Sequence, residues 1–197
     1  MTEPITAPTA APIALARDWL AEAVAAGVSE PGVLSLATVS AAGRPSNRIV
    51  ATIRITDHGL VFASYTTSPK GRDLAATGWA SGVLYWRESR RQVILTGPVE
   101  QLTDEQSDEL WFARAPGLHP MSVATTQSAP LTDEDALRTR VRELAASGEP
   151  LDRPAAWVGY QLVPSTVEFW EDRPERFYWR MRYDRDGQTW THTRLQP

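Results

Sequence analysis

The chain has no cysteine, a single lysine, three histidines and no long apolar run. Each shortage excludes something. Without cysteine there is no disulfide, thiolate zinc site, iron–sulfur cluster or cysteine nucleophile. His58, His119 and His192 lie far apart in sequence, so no metal site is expected. No stretch approaches the ~20 apolar residues that span a bilayer. The N-terminus lacks the basic region and apolar stretch of a signal peptide. The expectation is therefore a soluble, cytoplasmic protein with no membrane partner. A net charge of −4 disfavours nucleic acid as the main partner. There is no GxGxxG or GxxxxGK[ST], so the dinucleotide and P-loop readings fail; there is no GxSxG or HExxH either, and although composition leaves Ser/His/Asp catalysis open, nothing singles out one Ser.

What remains is near globular average: 197 residues, 42% hydrophobic, with eight Trp. That length suits one domain. Met1 to Pro12, rich in Pro, Thr and Ala, reads as a disordered tail. Residues 13–197 read as the domain. Ile13, Ala16, Trp19, Leu20 and Ala23 recur at helical spacing and predict a helix from Ile13 to Ala26. Strands are expected at Val33–Ser40, Asn47–Ile55 and Leu60–Tyr65, then at Ala80–Arg87 and Arg91–Leu102. Ser68-Pro69 reads as an N-cap with proline at the first helical position, and Thr103 with Gln106 as a capping box. From Ala115 to Pro130 the sequence gives no regular element. A helix from Thr132 to Ser147 precedes four closing strands, A-W-V-G-Y-Q-L-V-P, T-V-E-F-W, R-F-Y-W-R-M-R-Y and T-W-T-H-T-R-L. The fold class is thus α+β, built on an antiparallel barrel.

With no thiol and no metal motif, redox work would need a cofactor. In S-P-K-G-R (Ser68 to Arg72), free backbone N–H groups at a helix start join a hydroxyl and the one ammonium, which suits a phosphate monoester. The same pattern also describes an ordinary capped helix with a solvated Lys70. Arg48 could add a second cation through its planar fork. Gln92, Gln127 and Ser128 could read a heteroaromatic ring or simply face water. Period two puts Arg176, Tyr178 and Arg180 on one strand face, suited to an anionic or aromatic ligand, and Phe177, Trp179 and Met181 on the core face.

In order, the chain shows L-A-T-V-S-x-x-G-R-P-S-x-R-x-V, G-L-V-F, S-x-K, W-x-x-x-x-R-Q-V, Q-S, E-F-W, R-x-x-x-R and W-x-x-x-R-L-x-P. This set, from Val33 to Pro197, resembles the pyridoxamine 5′-phosphate oxidase family of FMN-binding split β-barrels. The resemblance implies a homodimer, with a dimerisation segment at about 155–197 and FMN bound between subunits. It implies Arg48, Lys70, Ser64, Ser68 and Pro69 around the phosphate. It runs the strand from Arg48 through Ile49 and Val50 to Ile53 alongside the flavin, next to Ala63. Gln92, Gln127, Ser128, Trp170 and Arg180 would surround the ring system and ribityl chain. Ala63-Ser64 departs from the family's usual aromatic and Thr.

On the substrate side the pattern changes. The vitamin B6 oxidases carry Lys where this chain has Ile53, Tyr where it has Trp111, and R-x-H where it has Arg176-Phe177-Tyr178. Near Arg114 their R-P-x-x-S-Q is broken. A phosphate dianion would lose charge-assisted bonds of roughly 1.5–3 kcal/mol each. The replacements favour a flat, apolar, carboxylated ligand, and the sequence looks like the phenazine-biosynthesis branch, flavin oxidases of dihydrophenazine carboxylic acids. The expected partners are then a heteroaromatic small molecule and O2. Arg176 would hold a carboxylate, Trp111 and Tyr178 would wall the pocket, Arg114 would lie beside it, and His119 is the one candidate proton acceptor. Oxidation of pyridoxine or pyridoxamine 5′-phosphate, and a non-catalytic flavin or haem barrel, are the alternatives.

Overall fold

Val33 to Val39 reads V-L-S-L-A-T-V. Burying Leu34, Leu36 and Thr38 on one side leaves Ser35 and Ala37 on the other, and that period-two pattern makes strand β1. The computed structural model describes residues 8–148 and 150–197. In it, β1 is followed by β2 (Pro45–Ala51), β3 (Arg54–Thr56), β4 (Gly59–Tyr65), β5 (Trp79–Trp86) and β6 (Arg91–Gln101). The closing strands are β7 (Trp157–Leu162), β8 (Thr166–Glu171), β9 (Trp179–Asp186) and β10 (Thr189–Arg194). The helices are α1 (Pro12–Ala25), α2 (Pro69–Thr77), α3 (Asp104–Phe112), α4 (His119–Ala124) and α5 (Glu134–Ala146).

The strands pair antiparallel in the order β10-β9-β8-β6-β5-β1-β2, while β7 joins β6 to β4 and β4 carries β3. The long β6 makes this possible. Its first half, Arg91 to Thr96, pairs with β8, and its last residues, Val99 to Gln101, pair with β7. Gly97 sits where the partner changes. A Cβ there would lie 2.2 Å from the Val163 carbonyl oxygen, so only glycine lets the two backbones pass. The sheet curls into an α+β split barrel, the class expected from the sequence.

Trp19 of α1 plugs the barrel, with its ring 5.0 Å from Phe169 and 6.4 Å from Trp86. The Arg91 guanidinium lies 4.6 Å over Trp19 and is paired with Glu22 (2.7 Å) and Glu171 (2.9 Å), so a buried cation has two counter-charges and an aromatic face. A second cluster packs α3 against the barrel through Val61, Tyr65, Leu110, Trp111 and Trp157.

Four expectations are corrected. The single strand expected at Asn47–Ile55 divides. Thr52 N–H donates to Gly32 and Ile53 N–H to Val61, so the chain leaves the β1 side and joins β4. The segment Ala115–Pro130 holds a 3-10 turn at Pro116–Leu118 and helix α4. β9 begins only at Trp179, because Glu175 (φ 62°) and Arg176 (φ 59°) adopt left-handed backbone. Phe177, placed on the core face by alternation, is 68% exposed. The tail expectation falls mostly on residues 1–7, outside the described residues. Pro12 already belongs to α1, and Thr9 N–H donates to the Tyr183 hydroxyl.

Candidate active site

The local chemistry of α2 builds the site. Ser68 Oγ accepts from Gly71 N–H (3.2 Å) and donates to the Tyr65 carbonyl (2.8 Å), fixing the first turn to the end of β4. Gly71 lets the turn approach: a Cβ would lie 2.3 Å and 2.5 Å from the carbonyl oxygens of Tyr65 and Thr66. Lys70 is thereby aimed back along β4. Its ammonium donates to Gln127 Oε1 (3.0 Å), Ser64 Oγ (3.1 Å) and Ser68 Oγ (3.5 Å). The residue is buried, and all three partners are neutral. Burial, and then the Arg48 charge, lower the Lys70 pKa below 10.5.

Arg48 is held differently. Its guanidinium donates to Thr38 Oγ1 (2.7 Å), Ser46 Oγ (2.5 Å) and the Leu36 carbonyl (3.2 Å). The two hydroxyls in turn donate to one oxygen of Asp73, at 2.7 Å and 3.1 Å. Asp73 stands 3.9 Å from the guanidinium. Thr38 and Ser46 fall in the quoted L-A-T-V-S-x-x-G-R-P-S stretch without a role assigned to either, and Asp73 was not singled out. Their signal is weak, because hydroxyls in strands and an Asp in a helix are common.

Arg48, Ile49, Val50, Ala63, Ser64, Pro69, Lys70, Gln127 and Ser128, each a candidate from the sequence, line one cleft of about 520 Å³ together with Ala51. Its lining holds two cations and no carboxylate, a charge balance that suits an anion. A phosphate would supply Lys70 with the counter-charge its neutral partners do not.

Gln92, Trp170 and Arg180 are elsewhere. They stand side by side on the outer face of β6, β8 and β9, where Gln92 is opposite Trp170 and Trp170 is opposite Arg180. Arg180 is paired with Glu168 (2.7 Å), and Trp170 lies 5.0 Å from the Tyr178 ring. Four strand spacings separate β2 from β8, about 19 Å across the sheet. One chain does not bring the two groups together.

Residues 20–147 match the family model for pyridoxamine 5′-phosphate oxidase, and residues 157–197 match the pyridoxine 5′-phosphate oxidase C-terminal dimerisation region. The chain belongs to the pyridoxamine 5′-phosphate oxidase family. The match to the dimerisation region supports a homodimer. A dihydrophenazinedicarboxylate synthase of Burkholderia lata is 46% identical over 96% of this chain and 90% of its own length. A pyridoxine/pyridoxamine 5′-phosphate oxidase of Bordetella pertussis is 44% identical over 91% of this chain and 86% of its own. The crystal structure of PhzG from Burkholderia lata in complex with tetrahydrophenazine-1-carboxylic acid superposes with a TM-score of 0.94, covering 96% of this chain and 94% of that one.

Ile53 sits at the corner between β2 and β3 and is 44% exposed. Trp111 is not in the lining of the Lys70 cleft. It is fully enclosed, with Nε1 donating to the Leu151 carbonyl at 2.8 Å. Its other face stacks on His119 at 4.2 Å, and His119 Nε2 lies 3.0 Å from the Trp111 carbonyl. That buried histidine braces Trp111 and lines a separate cleft of about 210 Å³ with Pro116, Gly117 and Pro120, not the cleft of Lys70. Arg114 lies over both Trp111 (5.2 Å) and Trp157 (5.1 Å) and donates to Ser122 Oγ. Burial lowers its pKa. Arg176 is exposed, and its Nε donates to the Tyr178 hydroxyl at 3.3 Å. Among the described residues no helix is long and apolar enough to cross a membrane, and no group of His or acidic residues could hold a metal.

Proposed function

We propose that this protein is an FMN-dependent oxidase that removes hydrogen from a reduced nitrogen heterocycle bearing a carboxylate, of the dihydrophenazine class, with O2 as acceptor. The observation that carries the reading is Lys70: a buried ammonium with neutral partners, beside Arg48, in a cleft with no carboxylate in its lining. Those residues fit a phosphate monoester. Lys70 and Arg48 bind the dianion, and Ser64, Gln127 and Ser128 supply the neutral polar contacts around it. Bound FMN would supply the acceptor of the hydride equivalent and pass the electrons on to O2.

The remaining flavin contacts, Gln92, Trp170 and Arg180, come in this reading from a second copy. The outer sheet face runs from Ile49 and Ala51 on β2 to Trp170 and Arg180 on β8 and β9. Ile49 and Tyr85, on that face, are 62% and 54% exposed. An isologous dimer packed through this face sets the β8–β9 end of one protomer over the β2 cleft of its partner. The protein then does its work by positioning. The cleft lining contains no imidazole or carboxylate to move a proton.

Ile53 supports the heterocycle over a B6 phosphate, because an exposed apolar side chain offers a dianion no bond where the B6 oxidases have Lys. So does the match to dihydrophenazinedicarboxylate synthase along nearly the whole chain. The test is to purify Lys70→Ala and Arg48→Ala beside the wild type and measure bound flavin. Both are expected to emerge nearly colourless; fully yellow variants would overturn the phosphate assignment. Turnover of a dihydrophenazine carboxylate is expected to exceed that of pyridoxine 5′-phosphate, and the reverse order would replace the substrate reading.

A further inference from the structure

Two oddities coincide between β8 and β9. Glu175 and Arg176 hold consecutive left-handed backbones without being glycine, a conformation most side chains avoid. The residue they deliver, Phe177, is 68% exposed, although the alternation of the strand would have buried it. Phe177 lies in the segment that matches the dimerisation region, so its exposure is that of one chain alone, and strain of this kind concentrates at ligand-binding positions.

The surroundings say what the ring would meet. Phe177 and Tyr178 line a cleft of about 500 Å³ with Arg194, Leu195, Gln196 and Pro197. Arg194 is committed to the scaffold: it donates to the carbonyls of Arg180 (3.0 Å) and Tyr178 (3.1 Å) and lies 5.4 Å from the Trp179 ring. Among the described residues Arg176 donates to the Tyr178 hydroxyl alone, and Asp172, the acid that acts on it electrostatically, is already paired with Arg90 at 3.0 Å. An open cation thus stands next to an open aromatic ring. Tyr178 in turn touches Trp170, so the step is continuous with the second group of expected flavin contacts.

We propose that Phe177 is a specificity-determining residue: its ring stacks on the substrate's fused rings, beside the carboxylate that the resemblance already gives to Arg176. The Arg176-Phe177 step then selects a flat, carboxylated polycycle over a phosphorylated single ring. Stacking gain grows with the ring area covered, so a three-ring ligand benefits and a lone pyridine gains little. This rests on the oxidase reading above.

The experiment is equilibrium binding of tetrahydrophenazine-1-carboxylic acid to the flavin-loaded protein, followed by Trp fluorescence, with dimer mass and flavin content measured in parallel. Phe177→Ala is expected to weaken the acid about 10-fold or more, and Phe177→Trp to restore it to within about 3-fold. Arg176→Gln is expected to weaken the acid but not its methyl ester. For the two Phe177 variants, binding of pyridoxine 5′-phosphate, flavin content and dimer mass should not change. If Phe177→Ala binds the acid as the wild type does, or if it falls to monomers, the assignment is overturned and the oxidase reading stands. Failure of the wild type to bind the acid at all overturns both.

Discussion

Lys70 is the chain's one lysine and the residue whose charge state is most tied to the ligand. Its pKa is lowered by burial and by Arg48. Between that lowered value and 10.5, the unfolded chain carries a proton the folded one has shed, so stability rises with pH across this window. The flavin-free protein should therefore gain thermal stability relative to Lys70→Met as pH climbs toward 10.5. A bound phosphate favours the ammonium, so saturation with FMN should flatten or reverse that trend. Melting curves of both proteins over pH 7.5 to 10.5, with and without FMN, give the comparison; parallel curves without FMN would mean Lys70 is not desolvated. Tyr65 and Tyr160, whose pKa values burial raises, act in the opposite direction at high pH and cancel in the difference. At this scale the sequence was informative where one residue type was scarce or locally capped. Lys70 stood out as unique, and Ser68-Pro69 marked its helix. Asp73 did not stand out, because its role depends on Thr38 and Ser46 from two strands converging on it. Phe177 misled, because a strand pattern records which side a residue faces and not whether another element covers it.

The element that decides the site is the first turn of α2. Ser68→Ala removes a cap and a bond to Tyr65, and should cost about 1 kcal/mol in denaturant unfolding. Gly71→Ala is more severe, since its methyl would meet two backbone oxygens closer than contact permits. The helix must shift, at about 1–3 kcal/mol, and FMN affinity should fall with it. Gly71→Ala with wild-type stability and wild-type flavin affinity would show that the turn does not position Lys70. Elements announced by short-range chemistry were legible. The Thr103–Gln106 box forms as reciprocal hydrogen bonds at 3.2 Å and 3.1 Å, and α2 and α3 start where their caps indicated. The β2–β3 corner was not legible, because N-R-I-V-A-T-I-R-I is β-branched on both sides of it. Such a run fixes extended backbone but not which neighbour it pairs with. Helix α4 is short and opens without a side-chain cap, so no local signal distinguished it from loop.

For the whole molecule, the separation of the two groups on the sheet makes a prediction that no single-chain arrangement shares. If the flavin lies between protomers, Lys70 of one faces Trp170 of the other. Lys70→Ala and Trp170→Ala homodimers then carry one lesion in each site and should bind flavin poorly. A heterodimer of the two variants, isolated through distinct tags, has one site with both lesions and one with neither. It should hold about one FMN per dimer at wild-type affinity. Were each site contained within one chain, both sites of the heterodimer would keep a lesion and it would stay colourless like its parents. The two arrangements differ by a whole equivalent of flavin, which absorbance against protein concentration resolves directly. The outcome also bears on the exposed outer face: a heterodimer that regains flavin requires the β8–β9 end of one protomer to reach the β2 cleft of the other, and hence requires Ile49 and Tyr85 to be covered when the protein is assembled.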